Sequence, residues 1–234
     1  MNKTARLVRF FLILIAFAMI LLIAAQYHFI RFPEPYDFGS PPDLRQKPGW
    51  IANLRLRALE IDAPACAARL AEAGLEHTLL PSTDTSRQCH LENTVMIKHF
   101  SLASIKPEQS RCSIAARLYL WERFVVQPAA FVHFGQHVKE ITHFGSYSCR
   151  TIHNSSHMSE HATANAFDIA GFVLKNGKAV RVKRGWAAGG EEQAFLHDVR
   201  NGLCQYFNLT LSPDYNADHA DHFHVDMGWV RDCR

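Results

Sequence analysis

His161, Asp168 and His224 set the strictest condition on how this chain folds. They come from two distant segments, SEHATANAFDIAG (residues 159–171) and HADHFHVD (219–226), and act together only if the fold brings both to one point. Two imidazole nitrogens and a carboxylate oxygen are ordinary zinc ligands, and a set of three leaves a coordination place for water, as a catalytic site requires and a closed structural site does not. Taken alone, His161 reads as a loop residue, Asp168 as a turn residue and His224 as a core histidine. The pairing of the two segments is what makes them candidate metal ligands, and the chemistry it points to is hydrolysis.

The N-terminus bears on where such chemistry takes place. An almost unbroken apolar run from Phe10 to Ala25 follows Lys3, Arg6 and Arg9, charges expected to stay in the cytoplasm. Those 16 residues reach only about 24 Å as a helix, short of a hydrocarbon core of roughly 30 Å unless Tyr27, Phe29 and Ile30 extend it. A transmembrane anchor and a cleavable signal peptide, cut before Gln26, both fit, and the run is longer than the usual signal core. Either exports the remainder of the chain. Cys66, Cys89, Cys112, Cys149, Cys204 and Cys233 agree with that: they are even in number, scattered, and lack CxxC pairs, so they are disulfide candidates with fifteen conceivable pairings. A net charge of +3, from scattered basic residues, gives no reason to expect nucleic acid.

The chain divides into three regions: 1–31, an anchor or signal segment; 32–49, a linker holding Pro33, Pro35, Pro41, Pro42 and Pro48, expected to be an extended tether; and 50–234, one exported domain. In the domain, 51–59 is hard to type. A helix is expected over 63–73, with Asp62 as N-cap, Pro64 in the first turn and Gly74 past the end. Another is expected over 109–126, capped by Ser110, and a third over 128–137. Residues 139–144 read as a strand. Residues 167–174 and 179–182 flank Asn176 and Gly177, a hairpin signal that starts a strand near Asp168. A helix over 191–207 and a last strand over 222–227 complete an α+β domain, with a small antiparallel sheet carrying the site.

On that last strand His222 and His224 would share a face. His222 would then be near enough to take a proton from water or to bond a developing oxyanion, and Asp221 is the rival base. Asp226 either orients the His224 ring, as carboxylates behind metal ligands do, or is a solvated strand residue. Arg150 is either a forked clamp for a substrate carboxylate or carbonyl or a surface ion-pair residue. Ser159 reads as a loop cap. Of the remaining histidines, His219 is the one expected nearest the site.

YSCR (147–150), SEHATANAFDIAGF (159–172), SPDYNADHADHFHVD (212–226) and the terminal Cys233 and Arg234 closely resemble the bacterial extensin-like C-terminal domain family, from about Cys66 onward. Its motifs are similar to those of the zinc D-Ala-D-Ala metallopeptidases, the lysostaphin-type endopeptidases and the hedgehog signalling domain, so the resemblance implies a metallopeptidase-like fold. In that wider group a serine stands two before a histidine, an aspartate seven after it, and an acid or histidine pair comes late. Ser159, His161, Asp168, Asp221, His222 and His224 match, Ala164 stands where many relatives have glycine, and Arg150 is similar to a substrate-holding arginine.

The resemblance implies Zn2+ as cofactor, peptidoglycan peptides as partner beside the cytoplasmic membrane, and an exported zinc metallopeptidase in which zinc-bound water is the nucleophile. For an uncleaved anchor the location is the bacterial inner membrane, single-pass, with the domain in the periplasm; after signal cleavage the domain is secreted. The competing expectations are a non-catalytic zinc-containing wall-binding module, and a structural envelope protein without metal held by its disulfides.

Overall fold

The computed structural model describes residues 3–26, 41–49, 52–86 and 88–234. Helix α1 (Lys3–Gln26) has 24 residues, about 36 Å of helix. It is the one helix among the described residues that is long and apolar enough to cross a membrane, over Lys3–Ala24, a property that anchors and signal sequences share. Its added length comes from the N-terminal side, through Lys3; Tyr27, Phe29 and Ile30 lie outside the described residues.

The rest runs through α2 (Ala52–Ile61), α3 (Ala63–Glu72), β1 (His77–Leu79), β2 (Thr83–Ser86), β3 (Cys89–Leu91), β4 (Thr94–His99), β5 (Ser104–Arg111), α4 (Cys112–Trp121), α5 (Gln127–Phe134), β6 (Val138–Gly145), β7 (Ala166–Leu174), β8 (Ala179–Arg181), α6 (Val182–Gly185), α7 (Gly190–Tyr206), β9 (Leu209–Leu211), β10 (Phe223–Asp226) and β11 (Asp232–Cys233). The class is mixed α+β, as the residue patterns predict. The sheet is larger than expected: nine strands in the order β1-β4-β5-β6-β7-β10-β9-β11, with β8 also on β7. Most pairs are antiparallel, but β5 with β6 and β9 with β11 are parallel. β2 and β3 form a separate pair.

Helix α4 is buried along all ten residues and packs on β4 and β5. Trp121 of α4, Phe172 of β7 and Phe195 of α7 pack tilted and edge to face, with centroids 6.0 and 5.0 Å apart, and join the helices to the middle of the sheet. Arg117 brings a charge into this core and is matched there: its guanidinium donates to the Tyr206 carbonyl at 2.8 Å and to Glu60 at 2.9 Å, which offsets the cost of removing it from water.

Helix α3 begins and ends where its capping residues indicate, with the Asp62 carboxylate accepting from the Ala65 amide at 2.9 Å and Gly74 in the left-handed region. The β7–β8 hairpin turns at Gly177, also left-handed. Elsewhere the structure corrects the sequence expectations. Residues 109–111, read as the start of a helix, finish strand β5, because Gln109, Ser110 and Arg111 pair with Met96, Val95 and Thr94. Ser110 therefore caps nothing. α5 stops at Phe134, since Gly135 takes the left-handed conformation, Val182 opens α6 instead of ending β8, and His222 lies just before β10. Of the segment read as a tether, 32–40 lie outside the described residues. In the described part, Leu44 is 1% exposed and joins the core, while Arg55 reaches the Pro41 carbonyl at 3.4 Å.

All six cysteines are paired: Cys66–Cys112, Cys89–Cys149 and Cys204–Cys233. The first fastens α3 to α4, the second ties β3 to the segment before Arg150, and the third fastens α7 to β11. Three such bonds suit an extracytoplasmic, oxidising compartment.

Candidate metal centre

Three neighbouring strands build the site. β10 and β7 pair antiparallel so that His224 and Asp168 are direct cross-strand partners. β6 lies on the other side of β7 and delivers Ser146 just past its end. His161 comes from a 3-10 turn over Glu160–Thr163, capped by the Ser159 hydroxyl, which accepts from the His161 amide at 3.3 Å. The turn closes on Ala164 at φ 52, left-handed backbone that disfavours a Cβ and suits glycine.

The structure brings the three candidate ligands together, all buried. His161 Nε2 lies 3.1 Å from His224 Nδ1 and 3.2 Å from Asp168 Oδ1, and His224 Nδ1 lies 2.9 Å from the same oxygen. Each imidazole is held from behind by a group that can only accept. His161 Nδ1 donates to the Ser146 carbonyl at 2.7 Å, and His224 Nε2 donates to Asp226 at 3.0 Å. Those two protons fix the tautomers of the neutral rings, so that once any further proton is displaced the inner nitrogens present lone pairs to each other and to a carboxylate oxygen. Three acceptors this close require a cation or a proton between them. A tetrahedral zinc with bonds of about 2.0–2.2 Å holds its ligand atoms roughly 3.3–3.6 Å apart, so the donors need part by only a few tenths of an ångström. The residues fit the metal.

Burial pushes the Asp168 carboxyl up, but hydrogen bonds from His161 and His224 outweigh it and keep the group well below the usual carboxylate range. Asp168 is therefore an anion throughout the neutral range. Beside the triangle, His222 Nε2 is 3.6 Å from Asp168 Oδ1, and its Nδ1 donates to Asp221 at 2.9 Å. Asp221 lies behind the ring, and Nε2 faces the site. His219 packs its ring against His222 and His224, with centroids 5.2 and 5.8 Å apart. Its Nδ1 is bonded to Asn216 Oδ1 at 2.7 Å. Burial, then the neighbouring histidine charges, lower it to about 4, so it is neutral at pH 7.

Asp168 and His224 of the triangle, with His222, form part of the wall of a cleft of about 500 Å³ that Arg150, Ile152, Tyr215 and Trp229 also line. Arg150 is exposed, and His153 and Asp218 pair across 2.7 Å on the same rim. Ser146 is absent from the sequence candidates, because it acts through its main-chain carbonyl and no side-chain pattern announces that. Asp226 is among them, and its spacing of two from His224 is the signal.

The extensin-like protein C-terminus family matches residues 64–234, well over half of the chain. The chain belongs to this family. No curated protein and no solved structure matches the chain. The extensin-like match takes in every candidate ligand and all six cysteines, and begins after Leu44 and α2, which the folded unit also contains.

Proposed function

We propose that the protein is an exported zinc-dependent hydrolase of peptide bonds in peptidoglycan, acting from the outer side of a bacterial inner membrane. The observation that carries this is the triangle of His161 Nε2, His224 Nδ1 and Asp168 Oδ1, with separations of 2.9–3.2 Å and both outer nitrogens already committed to acceptors. An Asp168–His224 edge in the wall of an open cleft, with three protein ligands instead of four, is the arrangement of a catalytic zinc site. Bound there, zinc supplies Lewis acidity, drawing the pKa of a water toward 7 and polarising a substrate carbonyl.

The chain's own groups divide the remaining work. His222 takes the water proton at Nε2, since its Nδ1 proton is held by Asp221. Asp221 is thus a positioning residue and His222 the base, which chooses between the two candidates. Arg150 steadies a carbonyl or carboxylate of the substrate from the cleft rim. Similarity of the motifs to the zinc D-Ala-D-Ala metallopeptidases agrees with this chemistry, and α1 with three disulfides agrees with the compartment.

The test is digestion of purified sacculi by the detergent-solubilised protein, with products read by mass spectrometry and zinc by elemental analysis. His161→Ala and His224→Ala are expected to lose both zinc and cleavage while retaining the circular dichroism of the fold. Cleavage that persists in a zinc-free variant overturns the proposal. His222→Ala is expected to keep zinc and lose turnover; full turnover in that variant would instead fit a site in which the histidine only lines the cleft.

A further inference from the structure

Behind the metal cleft lies a second cavity, of about 430 Å³, lined by Arg57, Arg111 and Arg231. The two share Glu160, Gly228 and Trp229 as a common wall. Glu160 immediately precedes the ligand His161, and Trp229 is fully exposed at 101%, so a solvent-facing indole stands between the two cavities.

Among the described residues none of these three guanidiniums takes part in an ion pair. Arg111 uses Nε on the Thr163 carbonyl at 3.1 Å, Arg231 uses Nε on Asn208 Oδ1 at 3.3 Å, and Arg57 makes no hydrogen bond. Both terminal nitrogens of each fork remain available. The carboxylates on the same wall are engaged elsewhere: Glu60 receives Arg117 at 2.9 Å, and Glu160 receives the Asn165 amide at 2.6 Å. Positive charge therefore exceeds negative in this cavity, and Arg111 is partly buried within it. Burial disfavours the Arg111 charge, and Glu160, Glu92 and Glu60 offset this from a distance, without a direct ion pair; the planar fork is matched to an oxyanion that accepts two hydrogen bonds.

We infer that this cavity is a carboxylate subsite of the metal cleft, in which a substrate lying across the Trp229 wall sets a free carboxylate among Arg57, Arg111 and Arg231. The inference rests on the hydrolase reading and narrows its substrate class to stem peptides that keep an unamidated carboxylate at some distance from the scissile bond. A carboxylate is favoured over other oxyanions because the adjoining cleft is the one that takes the peptide.

The experiment measures binding of muramidase-released disaccharide peptides to the full-length protein in detergent, by calorimetry, against the same peptides with their carboxylates converted to methylamides. The native protein is expected to bind the free acids about tenfold or more tightly. The double variant Arg57→Gln, Arg231→Gln is expected to lose most of that preference, with zinc content and thermal midpoint unchanged; Arg111 is left in place because it supports the His161 turn. Equal affinity for the two peptide forms in the native protein, or a preference that the double substitution leaves undiminished, overturns the inference. Zinc content and cleavage, measured on the same samples, report on the hydrolase reading separately: protein that holds zinc and cleaves but ignores the carboxylate sinks only the subsite.

Discussion

Asp226 divides its two oxygens between two donors, accepting from His224 Nε2 at 3.0 Å with one and from the Gly228 amide at 2.8 Å with the other. Neither partner can accept, so an amide in place of the carboxylate must turn its NH2 group toward an N–H. Asp226→Asn is therefore expected to loosen the His224 ring and to weaken metal binding by about 10–100-fold. Competition with a chromogenic chelator measures this, and an unchanged affinity would show that Asp226 does not orient the ring.

Metal and proton compete for the same nitrogen. Burial disfavours charge on His224, but hydrogen bonds with Asp168 and Asp226 outweigh that and raise its imidazole to about 9 in the metal-free protein. At pH 7 the ring carries a proton that a metal must displace. Zinc uptake at pH 7 is expected to release about one proton, and apparent affinity to climb with pH until about 9 and then level off. Calorimetry in buffers of different ionisation enthalpy reads the proton directly; heats that do not vary with buffer would contradict the assignment.

Cys89 and Cys149 close a sequence separation of 60 residues, and Cys149 is the neighbour of Arg150. Constraint on the unfolded chain by a loop of that length amounts to about 4 kcal/mol. Replacing both cysteines by alanine is expected to lower the denaturation midpoint accordingly, to keep the zinc, and to raise the KM for wall peptides as the Arg150 segment loosens. Identical midpoints would refute the stabilising role.

Gly171 lies in β7 between β6 and β8, where an added Cβ would come within 2.6 Å of the Val180 carbonyl and 3.1 Å of Arg181 Cα. Both obstacles are backbone, so a side-chain shift cannot relieve them. Gly171→Ala is expected to cost about 1–3 kcal/mol in chemical denaturation, with β8 pushed off β7, and a neutral result would mean the strands part freely there.

The site is more legible in the sequence than the sheet that carries it. His161, Asp168 and His224 stand out by residue type, because metal ligation restricts which side chains serve, whereas the partners of a strand leave little local trace. The boundary at Arg111 illustrates the difference. Helical spacing around Ala115 and Leu118 gives no sign of where it stops, and the strand character of residues 109–111 comes from pairing with Thr94–Met96, a contact the local sequence does not encode. His222 and Asp221 both qualify as bases by residue type, and only the orientation of one ring separates them.

Leu44 shows the same limit from the other direction. A single aliphatic residue among prolines reads as spacer, yet it is captured by the domain. For a chain that keeps α1 in a bilayer, only the residues between Gln26 and Pro41 then separate that helix from the domain, a number whose contour cannot exceed about 50 Å. The cleft that Asp168 and His224 line would then be confined to a thin shell above the lipid surface.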